Sequence, residues 1–226
     1  MKIIKDIRLY KSEVENKDGN PLPSSFAPIS LNNVIRRVVM KLREQEFVLG
    51  DFDHLYLNFT PCVENGIFQV AKRSVDKYYP WYRYYDVGVD RETFSKINDS
   101  SCNDRILELT KQALLKCFGN NVVLENKIET AFNESLSKGE NMLMRFKEKQ
   151  SAKYKAVIFL RYLENTEYFP LLCVYDMNET EILRKDLPLT SDLSSIGEIQ
   201  LSGKRITIKP RKNSFSKDLT AIAFDL

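Results

Sequence analysis

Histidine, tryptophan and glycine are scarce in this chain: one histidine, one tryptophan and eight glycines stand among 226 residues. With His54 as the sole candidate base and no Gly-x-Ser-x-Gly elbow beside it, a histidine-based nucleophilic triad has little to build on. The glycines fall mainly in turn candidates, and neither a P-loop nor a Gly-x-Gly-x-x-Gly run occurs. A nucleotide therefore has no phosphate cradle, and no cofactor is expected. Cys62, Cys102, Cys117 and Cys173 are scattered without close pairs, which argues for free, mostly buried thiols rather than a zinc site or a disulfide framework. No apolar run reaches the roughly eighteen residues of a membrane span. Lys2, Lys5, Asp6 and Arg8 interrupt what would have to be the apolar heart of a secretory signal, so a cytoplasmic protein without a membrane partner is expected. Charge of one sign is also missing. The balance of 34 basic against 31 acidic residues leaves +3, which supports nucleic-acid binding only if the basic residues are concentrated locally.

What the chain does contain is aromatic residues in one place. Tyr78, Tyr79, Trp81, Tyr82, Tyr84 and Tyr85 fall within residues 77–86, with Lys77 and Arg83 among them. Tyrosine and tryptophan combine large, stiff contact area with a polar tip, and together with arginine they dominate interface energetics. In a strand, Trp81, Arg83 and Tyr85 point one way and Tyr82 and Tyr84 the other, so at most about half of the run can form a binding surface. The bland alternative is core and cross-strand packing.

The hydrophobic pattern predicts an α+β fold, an antiparallel sheet packed with about three helices and followed by a C-terminal β-meander. Residues 3–10 alternate as a strand. Ser30 is placed to cap a helix through about Gln45, with Leu31, Val34, Ile35, Val38, Val39 and Leu42 on one face and Arg36, Arg37, Lys41 and Arg43 on a solvated one. Leu55, Leu57 and Phe59 alternate in a strand, and Glu64-Asn65-Gly66 predicts a hairpin into residues 67–70; residues 82–89 form the next strand. Helices are expected from Ser100 or Ser101 to Phe118 and from about Leu124 to Leu136. Beyond Gly139 the pattern turns to strands, at residues 153–163, 168–175, 199–201, 205–208 and 219–226. A single domain over residues 1–226 is the preferred organisation, with a division into 1–139 and a mostly-β 140–226 as the alternative.

Several groups could carry chemistry. Asp51, Asp53 and His54 could ligate a metal or move protons, but in an extended segment His54 faces away from the two acids. Glu125-Asn126-Lys127 with Asp86 or Asp90 gives the short acid and Glu-x-Lys pattern of metal-dependent nucleases, on a predicted helix start. Ser-x-x-Lys occurs at Ser74, Ser135 and Ser214, a frequency expected of chance. Lys72, Arg73, Lys77 and Arg83 beside the aromatics, and Lys204, Arg205, Lys209, Arg211, Lys212 and Lys217 near the C-terminus, could contact phosphates.

The texture of residues 52–61 and 82–89 resembles that of small bacterial immunity proteins of toxin competition systems. The resemblance implies a non-enzymatic, cytoplasmic protein that occludes a partner toxin, with Tyr78, Tyr79, Trp81, Tyr82, Arg83 and Tyr85 as anchors. A protein partner is thus the leading expectation. A metal-dependent nuclease and a non-catalytic nucleic-acid binder are the alternatives.

Overall fold

Alternation at the N-terminus produces not one strand but two, β1 (Lys2–Ile3) and β2 (Asp6–Lys11), broken where Ile4 turns fully into the core. This is the start of a computed structural model that describes residues 1–213, 216 and 218–226. Ser214 and Lys217, named above in a Ser-x-x-Lys match and a basic run, lie outside the described residues. By their internal packing the residues divide into two compact units, Met1–Gly139 and Glu140–Leu226.

In the first unit β2 is followed by β3 (Ser24–Ser25), α1 (Ile29–Glu44), β4 (Val48–Gly50), β5 (His54–Thr60), β6 (Phe68–Val70) and β7 (Tyr82–Gly88). The helices α2 (Arg91–Ser95), α3 (Asn103–Phe118) and α4 (Val122–Lys138) complete it. The principal sheet has the order β3-β2-β5-β7-β6, with β2, β5 and β7 mutually parallel and both edge strands antiparallel. α1 supplies a crossover that parallel pairing requires. A small β1-β4 pair stands beside it.

The expected hairpin between residues 54–60 and 67–70 is therefore not formed. The turn at Glu64-Asn65-Gly66 exists, closed by Ile67 N–H to the Glu64 carbonyl with Gly66 at φ 82°. It delivers β6 to the sheet edge, however, and β7 enters between β5 and β6. Burial explains the order: β6 leaves Gln69 and Val70 exposed, whereas Tyr84, Asp86, Val87 and Gly88 of β7 are buried. A turn motif fixes a reversal of direction but not which strand becomes the neighbour. Gly88 makes the crossing possible, since a Cβ there would lie 1.9 Å from the Glu64 carbonyl oxygen.

The core lies between this sheet and the helices, where Ile7, Leu9, Leu55, Leu57, Phe59 and Val87 meet Leu31, Ile35, Leu42, Leu109, Leu114 and Phe132. α1 begins after Pro28 with no side-chain cap, so Ser30 stands inside the helix, its hydroxyl accepting from Asn103 Nδ2 at 3.4 Å. Its end is a Schellman motif: Phe47 N–H reaches the Leu42 carbonyl and Glu46 N–H the Arg43 carbonyl, with Glu46 at φ 53° in the position glycine usually takes. The fully buried Phe47 and Leu42 hold this geometry against the strain at Glu46. The basic face of α1 is not wholly solvated. Arg37 and Lys41 are buried, and Lys41 Nζ pairs with Glu44 and, 3.2 Å away, with Glu134 of α4. α4 packs across α1, which a pattern confined to one helix could not disclose. Asp90, Asp99 and Asn121 cap α2, the short turn before α3, and α4.

The second unit contains β8 (Met144–Gln150), β9 (Tyr154–Tyr162), β10 (Tyr168–Asp176), β11 (Glu181–Asp186), β12 (Glu198–Ser202), β13 (Arg205–Lys209) and β14 (Ile222–Asp225). They form two antiparallel meanders, β11-β10-β9-β8 and β12-β13-β14, as the α+β reading anticipated. Buried Ala156, Ile158, Leu160, Leu172, Val174, Ile199, Ile206 and Ile208 come from both. β11 had no sequence signal because it is polar and almost wholly exposed. No helix among the described residues is long and apolar enough to cross a membrane.

Candidate functional site

Strand alternation sends the apolar side chains of β2, β5 and β7 to the helices and leaves a nine-residue grid on the opposite face. Parallel register sets Asp6, His54 and Tyr82 in one row, Arg8, Tyr56 and Tyr84 in the next, and Tyr10, Asn58 and Asp86 in the third. Four tyrosines form the middle of this face. Tyr56 stacks on Tyr82 at 4.6 Å and meets Tyr10 and Tyr84 at 5.1 and 5.3 Å, while the Arg8 guanidinium lies over its ring. Burial pushes the Tyr84 hydroxyl pKa upward, and neighbouring Tyr10, Tyr82 and Tyr56 add to the shift.

At one end of the grid residues 12–23 cross the sheet and are tied to residues 72–74. Arg73 donates to Asn16 Oδ1 at 2.8 Å and to the Asn20 and Pro21 carbonyls at 3.0 Å, Lys72 pairs with Glu15, and Ser74 donates to Asp18. Beneath them Asp86 accepts from Asn58 Nδ2 at 2.7 Å and Asn16 Nδ2 at 3.4 Å, all three residues being buried. Burial raises the Asp86 pKa, and the two amide hydrogen bonds only partly oppose it. This group escaped the sequence reading because its members are dispersed over three segments. The one local sign was a polar Asn58 between Leu57 and Phe59.

At the other end lies Asp53. Its carboxylate takes Lys5 Nζ on one oxygen at 2.7 Å and His54 Nδ1 on the other at 2.6 Å. Burial works against ionisation here too, but hydrogen bonds from Lys5 and His54 outweigh it and hold the Asp53 pKa below its ordinary value. The backbone is laced together at the same point, with Asp53 N–H and His54 N–H both donating to the Trp81 carbonyl at 3.0 Å. Asp51 does not join them. Its carboxylate instead receives Arg83 Nη2 at 2.8 Å. Among the described residues no three His, Cys, Asp or Glu side chains are grouped to hold a metal ion. Lys127 is spent on the Gln45 carbonyl, Glu125 sits in the first turn of α4, and Asp90 caps α2, so the acid and Glu-x-Lys residues each occupy a separate structural position.

The aromatic run divides along these lines. Asp76 Oδ1 accepts from the N–H groups of Tyr78 and Tyr79 and fixes a turn before β7. The turn presents Tyr78, Tyr79 and Trp81 at 85%, 53% and 39% exposure, with Tyr79 edge-on to Trp81 at 5.2 Å. Tyr82 belongs to the tyrosine cluster, and its hydroxyl donates to Asp76 Oδ2. Arg83 also donates to the Pro80 and Tyr82 carbonyls and lies over Phe52, while Tyr85 packs on Phe52 and Phe118 at the core. All four cysteines are free thiols, and burial lifts Cys117 to about 11. Comparison with protein-family models, with curated proteins and with solved structures returns no match to this chain.

Proposed function

We propose that this chain is a non-enzymatic protein-binding module that acts by covering a surface of its partner, with Tyr78, Tyr79 and Trp81 as anchors. One observation carries the proposal: these three large rings stand exposed on a turn that Asp76 pins, while Tyr82, Arg83 and Tyr85 are engaged in the protein itself. A turn whose backbone is held before contact loses little conformational freedom on binding, which favours the large side chains it carries as interface anchors. Tyr82, bonded to Asp76, and Arg83, bonded to the Pro80 carbonyl, then support the turn, while Tyr85 packs in the core. The narrower reading, an immunity protein occluding a toxin, rests on the resemblance of residues 52–61 and 82–89 alone.

Affinity capture from the native cell lysate with the wild-type chain and with Tyr79→Ala and Trp81→Ala tests the proposal. A protein partner retained by the wild type should be lost about tenfold or more from each variant, with circular dichroism unchanged. A partner held equally by all three, or recovery of nucleic acid instead of protein, would overturn it.

A further inference from the structure

Trp81 borders an open depression of about 490 Å³ whose other walls are Lys2, Lys5, Asp53 and His54. The charges around it are arranged in depth. Asp53, the acid, forms the floor with a side chain 6% exposed and both oxygens occupied, whereas Lys5 stands above it 60% exposed. Lys2 is exposed and has no side-chain hydrogen bond or ion pair among the described residues. With Asp53 bonded to Nδ1, His54 turns its other ring nitrogen, Nε2, away from that bond. Of the lining residues, a visiting group thus meets cations, an imidazole and an indole, while the one lining acid, Asp53, has both oxygens engaged; Asp51, outside the lining, is paired with Arg83. The walls are also rigidly joined. Lys5 N–H donates to the Asp53 carbonyl, and the Trp81 carbonyl takes two N–H groups from the opposite segment, so three distant pieces of chain hold one shape.

We infer that this depression receives carboxylates of an acidic segment of the partner protein, beside the aromatic anchors Tyr79 and Trp81. The inference rests on the protein-binding reading and names the chemistry of the partner at one point. A basic toxin surface is the wrong partner for such a pocket, because Lys2 and Lys5 would repel it. The openness of the depression suits a protruding side chain, and Lys2 and Lys5 can each supply a charge-assisted hydrogen bond to a carboxylate.

Trp81 is the chain's only tryptophan, so tryptophan emission reports on this depression and on the adjoining Tyr79, and Lys2→Glu separates the two. Titration of the full chain with a synthetic hexaglutamate peptide should change Trp81 emission saturably, whereas a Gly-Ser peptide of equal length should not. Lys2→Glu should weaken the response on the order of fivefold or more, and Lys11→Glu, at the end of β2 far from Lys5, should leave it unchanged. Inorganic phosphate and adenosine monophosphate form the second arm. A saturable response to either of these without one to hexaglutamate would overturn the acidic-segment assignment in favour of a small-anion site. No response to hexaglutamate, or an equal response in Lys2→Glu, would also overturn it. Failure here is separable from failure of the proposed function. A captured partner that depends on Tyr79 and Trp81 but is indifferent to Lys2→Glu leaves the binding module standing and removes only the acidic contact.

Discussion

The two ends of β5 each lie beside a buried carboxylate, and the protein treats them in opposite ways. Asp53 has Lys5 and His54 within hydrogen-bonding distance and is held ionised more firmly than an ordinary aspartate. Asp86, a similarly buried acid, receives only the neutral amides of Asn58 and Asn16, and its pKa rises. Cations are near Asp86 too. Lys72 is committed to Glu15, however, and Arg73 to Asn16, Asn20 and Pro21, so neither neutralises it directly. What decides the protonation of a buried acid is thus where neighbouring charges are engaged, beyond whether they are near. The difference extends to exposure: the Asp53 end opens to solvent through His54 and Trp81, while the Asp86 end is closed by residues 12–23.

The strongest way to break the contrast is to make the closed end doubly acidic. Asn58→Asp sets two carboxylates against each other where the amide and acid now lie 2.7 Å apart. It should cost about 3–5 kcal/mol at neutral pH, with much of the loss recovered on acidification as the pair takes up a proton. Urea denaturation across pH checks both parts. Next in size, Asp53→Asn keeps the shape of the open end and removes its charge, which should cost about 1.5–3 kcal/mol at neutral pH. Because the Asp53 pKa is lowered by folding, its contribution is complete above the ordinary carboxylate value of about 3.9 and is lost as pH falls through the lowered one. The variant and wild-type stabilities should therefore converge in acid. The smallest effect is expected from Asp86→Asn, whose carbonyl can still accept from Asn58. A raised carboxyl pKa means that the folded state binds the proton more tightly, so wild-type stability falls as pH rises from about 3.9 through the raised value. Removal of that titration should flatten the profile and add on the order of 1 kcal/mol at neutral pH. A variant profile that still falls over that range would mean that another group carries the effect.

Legibility in the sequence followed the range of the interactions. The periods of α1, α3, α4, β9 and β10 were plain because each depends on neighbours a few residues away. The order of strands in the first sheet was not, because the turn at residues 64–66 says nothing of the later strand that enters beside β5. Solvation of Arg37 and Lys41 was misjudged for a similar reason: both are buried, and the α4 residue that pairs with Lys41, Glu134, lies far along the chain. Of the candidate site, the exposed Tyr78, Tyr79 and Trp81 could be named from composition. The engagement of Arg83 with Asp51, and the Asp53 and Asp86 clusters, could not, since the partners join only through the sheet register.

By itself, the sequence determined the α+β class, the strand-rich second half, and the alternation that separates Tyr82 and Tyr84 from Arg83 and Tyr85. These follow from backbone geometry, which assigns a face to each residue from its position alone. Only the tertiary structure decided which rings stay in water, which acids find cations, and that Lys2, Lys5, His54 and Trp81 share one depression. Solvation and electrostatics act through space. Their outcome waits on the packing of segments that the chain keeps far apart.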